Sequence, residues 1–149
     1  MKSNNEQHLA YVIHSRAFRE TSLLVDMLSL EHGRIALVAR GAKRGKTKSS
    51  SILQPFMALQ LSWHGNGDLV TLTNAEILKF NTALQGRSAI CGLYLNELLI
   101  KLLPKWDACA LLFAGYESVL IDLENNISNE QIILRKFELL LLKSLGYEL

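Results

Sequence analysis

A chain of 149 residues, 49% hydrophobic and 20% charged, has room for one domain or two small ones and enough apolar material to fold without a metal or disulfide staple. Its formal net charge is +2, from 16 Lys+Arg and 14 Asp+Glu, and the hydrophobic and charged fractions argue against long intrinsic disorder. Cys91 and Cys109 are too few for a disulfide framework or, by themselves, a four-ligand zinc site, so a reducing cytoplasm is the expected compartment.

The first half reads as strands. Residues 9–16 are rich in Tyr, Val and Ile, with Tyr11 and Ile13 expected on one face and Val12 and His14 on the other. Residues 21–30 and 33–40 form two apolar runs around His32-Gly33, the pattern of a hairpin. Residues 41–54 hold Gly, Lys, Arg and a serine triplet and read as an open loop. From Pro55 a further strand is expected, with Met57, Leu59, Leu61 and Trp63 on one face against Ala58, Gln60, Ser62 and His64. Gly65-Asn66-Gly67 supplies a turn, and residues 68–73 return as a fifth strand. Five short strands in about 75 residues predict a small barrel, with the OB-fold the natural candidate.

The second half changes period. Residues 89–103 carry Ile90, Leu93, Tyr94, Leu98 and Leu102 at helical spacing, and Pro104 stops the run. Asp107 reads as the cap of a helix over 108–123. Ser128-x-x-Gln131 reads as a capping box for a third helix running to Leu145, with Gly146 as the residue after its C-cap. That helix is apolar on most sides, so either it is central in a bundle or a covering element is missing. The fold class is therefore α+β: a five-stranded barrel over residues 1–80, then a helical domain over 81–149.

The charge is unevenly placed. Residues 1–80 hold 10 Lys+Arg and 6 Asp+Glu (+4), and residues 81–149 hold 6 and 8 (−2). No acid lies between Glu31 and Asp68, an interval containing Arg34, Arg40, Lys43, Arg44, Lys46 and Lys48. Such a cluster can hold a polyanion and release its counterions, or simply solubilise a loop. Phe18, between Arg16 and Arg19, is the one ring closely interleaved with basic residues, and Trp63 is expected in the barrel core.

Catalytic and cofactor motifs are lacking. His8, His14, His32 and His64 have no metal-ligand spacing, so no metal is expected. Ser15 and Ser22 sit in no nucleophile elbow. Gly45-Lys46-Thr47 ends like a P-loop, but Arg40 stands where its first glycine belongs. Cys91 and Cys109 read as packing residues on different helices. The polar residues 1–8 contain no signal core, and runs such as residues 139–142 are far below the roughly 18 residues of a membrane span, so no membrane partner is expected.

Several strings are more specific. Tyr11-Val12-Ile13-His14-Ser15-Arg16-Ala17-Phe18-Arg19-Glu20-Thr21-Ser22-Leu23-Leu24, His32-Gly33-Arg34, Val38-Ala39-Arg40-Gly41-Ala42-Lys43-Arg44, Leu53-Gln54-Pro55-Phe56 and Ser62-Trp63-His64-Gly65 resemble the bacterial recombination mediator family RecO. In the second half Gly92-Leu93-Tyr94-Leu95-Asn96-Glu97-Leu98-Leu99, Leu103-Pro104, Phe137-Glu138 and Leu145-Gly146-Tyr147 resemble it in the same order. The resemblance implies an OB domain followed by a helical domain, incomplete here because members usually continue into further helices and often a cysteine zinc knuckle. It implies no enzyme activity and no cofactor. It implies binding and annealing of single- and double-stranded DNA, work with RecR and single-stranded DNA-binding protein (through its C-terminal tail), loading of RecA, and a cytoplasmic, nucleoid-associated setting.

The expected DNA-binding residues are Arg16, Arg19, Arg34, Arg40, Lys43, Arg44, Lys46 and Lys48. The rival expectation is an adaptor whose apolar helical domain docks a partner peptide in a groove rimmed by Lys101, Lys105 or Lys143. RNA stays open alongside DNA for an OB-fold.

Overall fold

The computed structural model describes residues 6–42, 51–79, 84–125 and 129–147. Strands β1 (His8–Phe18), β2 (Ser22–Ser29), β3 (Gly33–Ala39), β4 (Ala58–His64) and β5 (Val70–Lys79) close into a barrel in the order β1-β2-β3-β5-β4. β1 is antiparallel to both β2 and β4, while β3 and β5 run parallel through Leu37–Val70 and Val38–Thr71. The barrel is an OB-fold. Closure leaves no free sheet edge, which suits a small domain that must not pair with other chains.

Alternation fills the barrel as expected. Met57, Leu59, Leu61 and Trp63 are all buried in its core, and burying a side chain such as Leu59 contributes about 1.5–3 kcal/mol. The segment read as an open loop departs from expectation at its end. Ser51 and Ile52 are helical, and Ile52 and Leu53 plug the barrel core. The Ser15 hydroxyl donates to the Leu53 carbonyl at 2.6 Å. β4 starts at Ala58 rather than Pro55 because Phe56 turns the chain at φ 75°. Its N–H donates to Val12 O (2.9 Å), and Val12 N–H donates to Met57 O (3.0 Å).

Three helices follow: α1 (Arg87–Leu102), α2 (Ala110–Asn125) and α3 (Glu130–Ser144). α1 ends before Pro104, as expected. α2 begins at Ala110, two residues later than the sequence suggests. Residues 105–107 are instead drawn onto β3, with Trp106 N–H donating to Arg34 O at 2.9 Å. There Gly33 is in the left-handed region (φ 73°), and a Cβ on it would lie 2.3 Å from the Asp107 carbonyl oxygen. The cap of α3 is Asn129, whose side chain accepts from Gln131 N–H at 2.8 Å. Ser128, the expected cap, lies outside the described residues. At the other end Gly146 (φ 95°) closes a Schellman motif, with Tyr147 N–H on Leu142 O (3.1 Å) and Gly146 N–H on Lys143 O (3.0 Å).

The helices pack on the outside of the barrel through a second core. Tyr11, Ile13 and Leu28 of the barrel meet Leu95 and Leu99 of α1 and Phe113 and Tyr116 of α2, with Phe137 of α3 behind. α1 does not bury the expected stripe. Gly92, Leu95, Asn96 and Leu99 face inward, and Ile90, Leu93, Tyr94 and Leu102 are exposed. The helix is apolar on two sides, and what the barrel offers selects between them. α3 buries Ile133, Phe137 and Leu141, leaving Ile132 and Leu139 exposed, so it is an outer helix rather than a central one. No described helix is long and apolar enough to cross a membrane.

Candidate nucleic-acid interface

A β-bulge in β1 decides which side chains reach the surface. Tyr11 pairs with Leu28 and Val12 with Met27, but His14 pairs with Asp26, so Ile13 is the extra residue. Strict alternation would send His14 and Arg16 inward with Val12. The bulge shifts the parity instead, and His14, Arg16 and Phe18 join Tyr11 on the outer side. Arg16, Leu24 and Val38 then form one cross-strand row, and His14, Asp26 and Ala36 the next.

The helices cover one end of this outer face and leave the other open. At the open end lies a cleft of about 690 Å³ between the barrel and α1. Its lining comes from β1 (His14, Arg16), β2 (Leu24, Asp26), β3 (Arg34, Ala36), the β4–β5 loop (Leu69) and α1 (Leu93, Ile100), with Lys105 beyond the helix. A smaller pocket of about 220 Å³ continues from it, sharing Leu69 and adding Phe18, Arg19, Val38 and Arg40.

The expected binding residues fall into three groups. Arg16, Arg19 and Arg40 are exposed and line this strip. Arg19 turns the β1–β2 loop at φ 59° and holds its guanidinium carbon 5.1 Å from the Phe18 ring centroid. Arg34 is committed elsewhere: its side chain is 12% exposed, its Nε donates to Leu103 O at 2.8 Å and its Nη1 lies 3.7 Å from Asp26 Oδ1. It ties the α1–α2 connection to the barrel. Lys43, Arg44, Lys46 and Lys48 lie outside the described residues.

Sequence reasoning did not assign Lys105 or His14 to this strip. Lys105 arrives through an isolated parallel bridge between Arg34 and Lys105, a long-range contact that no local pattern announces. Among the described residues neither Arg16 nor Lys105 has an ion-pair partner. Glu97, also in the cleft, is held by Lys101 at 2.7 Å, which keeps its carboxyl below the usual range.

Elsewhere, the histidines are less scattered than expected. His8 is 1% exposed, with Nδ1 3.1 Å from Glu31 Oε1. Its ring lies 4.7 Å from that of His32 and 4.6 Å from that of Trp63, while Trp106 packs 5.8 Å from His32. Burial, reinforced by His8, pushes the pKa of His32 down, against smaller opposing effects of Glu31 and Glu6. No cluster of three or more metal-ligating side chains occurs among the described residues. Cys91 Sγ is 3.2 Å from Glu130 Oε2, and burial followed by that contact raises its pKa, the opposite of a reactive thiolate.

The family model for the N-terminal part of recombination protein O matches residues 1–81, and that for its C-terminal part matches residues 84–149. The chain belongs to the recombination protein O family. Relatives named DNA repair protein RecO include that of Nitrosococcus oceani, 51% identical over 140 residues (94% of this chain, 56% of the relative). That of Methylococcus capsulatus is 45% identical over 142 residues (94% and 57%). That of Dechloromonas aromatica is 43% identical over 151 residues (100% and 62%). The chain thus spans somewhat over half the length of the RecO proteins it matches. Both family matches preserve the order barrel, then helices.

Proposed function

We propose that this chain is a non-enzymatic DNA-binding module of recombinational repair that holds single strands on the open outer face of β1, β2 and β3 and promotes their annealing. The observation that carries this reading is the continuous strip with Arg16, Arg19, Arg40 and Lys105 on an OB-fold, where the β2–β3 face and the β1–β2 and β4–β5 loops are the usual oligonucleotide surface. In the sequence, Lys43, Arg44, Lys46 and Lys48 follow Arg40 after Gly41 and Ala42, so positive charge is concentrated there. Annealing requires no nucleophile, metal or cofactor. Neutralising the phosphates of two strands lowers their repulsion and raises their local concentration.

Residues 1–80 supply most of the DNA-binding part in this reading, joined by Lys105, and the rest of residues 81–149 is the part that meets other proteins. Membership of the family supports RecR, the tail of single-stranded DNA-binding protein and, indirectly, RecA as partners, in a cytoplasmic, nucleoid-associated setting. A shallow groove of about 150 Å³ between α2 and α3, lined by Val119, Ile133, Phe137 and Lys136, gives the adaptor role a place to act. Lys105 belongs to the DNA strip in this reading rather than to that groove.

The test is a salt-dependent titration against single-stranded DNA, duplex DNA and RNA. Eight phosphate contacts, four from Arg16, Arg19, Arg40 and Lys105 and four from Lys43, Arg44, Lys46 and Lys48, give a slope of log K against log salt of about −5.6 for single strands, from about −0.7 per contact. A slope near zero with all three ligands, or no binding, sinks the reading.

A further inference from the structure

Two exposed apolar side chains face the cleft from opposite halves of the molecule. Leu69 of the β4–β5 loop is 41% exposed and Leu93 of α1 is 48% exposed. Leu24, Ala36 and Ile100 add further apolar lining, beside Asp26, Arg34, Asn96 and Glu97, the last held by Lys101 at 2.7 Å. Cations stand on both sides, Arg16 on β1 and Lys105 after α1, and His14 and Arg16 bring the planar groups on which bases stack. The polar groups of the floor are already committed. Asp26 faces Arg34, and the Asn96 amide serves Ile13 O and the Tyr116 hydroxyl.

An apolar slot flanked by phosphate-binding charges, with its floor groups paired among themselves, suits a base by its face and not by its edge. A base within a duplex cannot enter such a slot. We propose that the cleft between barrel and α1 takes an unstacked nucleobase of a single strand without reading its identity, so that Leu93 and Lys105 make the helical half part of the nucleic-acid interface. This rests on the proposed DNA binding and adds to it a location, a strand preference and sequence tolerance. An acidic peptide with apolar side chains is the other occupant such a slot could accept. Continuity with the Phe18–Arg19–Arg40 pocket, through Leu69, favours the nucleic acid, because a strand leaving the cleft meets further cations there.

The test uses the 149-residue chain and a thymidine oligonucleotide carrying one 2-aminopurine, whose emission rises when it leaves the stack of its neighbours. The double variant Leu93→Ala/Lys105→Ala changes two exposed side chains, and Arg87→Ala, an exposed cation away from the cleft, is the charge control. Binding of the unaltered chain should raise the emission. The double variant should lose that rise and about tenfold in single-strand affinity, with duplex affinity changed less than about twofold. Thymidine, adenosine and cytidine tracts should be affected alike. An unchanged emission rise, or equal losses for single strands and duplex, overturns the proposal. So does a double variant with full DNA affinity that no longer binds an acidic, apolar-tailed peptide. If the unaltered chain binds neither nucleic acid, the parent reading fails as well; if it binds but Leu93 and Lys105 are silent, only this one does.

Discussion

The side-chain amide of Asn96 donates to the main-chain carbonyl of Ile13 at 2.9 Å. Ile13 is the bulged residue of β1, and a bulge takes its extra residue out of the regular strand ladder. Asn96 gives the buried carbonyl a partner, and Asn96 Oδ1 in turn accepts from the Tyr116 hydroxyl at 2.6 Å. One buried side chain, 2% exposed, thus joins the bulge that exposes Arg16 to α1, which builds the far wall of the cleft, and to Tyr116 of α2 behind it.

Replacing Asn96 with Ala should therefore cost about 2–4 kcal/mol, from an unpaired carbonyl, an unpaired hydroxyl and a small void. Tyr116→Phe, which removes one hydroxyl and keeps the ring, should cost about 1 kcal/mol. Urea unfolding measures both. An unchanged midpoint for Asn96→Ala would mean that the bulge does not need this support.

Gly33→Ala places a side chain at φ 73° with its Cβ 2.3 Å from the Asp107 carbonyl oxygen. The strap of residues 105–107 must lift from β3, and Lys105 moves with it. Together with the left-handed strain, a loss of about 2–4 kcal/mol is expected. Tryptophan emission should shift too, since Trp106 packs on Trp63 at 5.9 Å. Wild-type stability and emission in this variant would show that the strap adjusts freely.

Stability should fall on mild acidification. The pKa of His32 is lowered in the folded state, chiefly by burial and then by His8, so between its folded value and about 6.5 the unfolded chain binds more protons. The contribution is complete above about pH 6.5 and is lost as pH falls through the depressed folded value. The groups facing His32 are His8, Glu31 and Glu6, with Trp63 and Trp106 as ring neighbours. Thermal midpoints between pH 7.5 and 5 should decline in the wild type, and decline less in His32→Gln. Parallel curves for the two proteins would exclude His32 as the source.

Replacing Lys43, Arg44, Lys46 and Lys48 together with alanine should lower the single-strand salt slope by roughly 3, at about 0.7 per lost phosphate contact. Affinity should drop evenly across sequences, because phosphate contacts carry no base information. Should the quadruple variant bind with unchanged affinity and slope, this cluster only solubilises the chain, and the adaptor role moves ahead.

Local patterns carried much of the architecture. The alternation from Met57 to Trp63 can be satisfied only by a strand with one buried face, and it lies in the barrel core. Pro104 cannot continue the helix before it, because it lacks an N–H and its ring crowds the preceding turn, and Gly146 takes the left-handed turn that an α-helix end favours. These features act within a few residues, so they are visible without the fold. The cap of α3 is Asn129 rather than Ser128, since both are good cap residues and only the path of the chain selects between them.

The sequence by itself determined that this chain is a five-stranded barrel followed by helices, with its positive charge gathered in the barrel half, because period and charge are properties of neighbouring residues. Tertiary structure decided which side chains line the cleft. The bulge at Ile13 reverses the parity of β1, and its cost is met by Asn96, 83 positions away. Arg34 is tied into the barrel–helix junction and Lys105 is brought to the cleft, through the pairing of β3 with the α1–α2 connection. α1 presents Leu93 to the cleft while Asn96, three residues on, reaches the Ile13 carbonyl. Each of these depends on contacts between residues far apart in the chain, and such contacts leave no periodic trace.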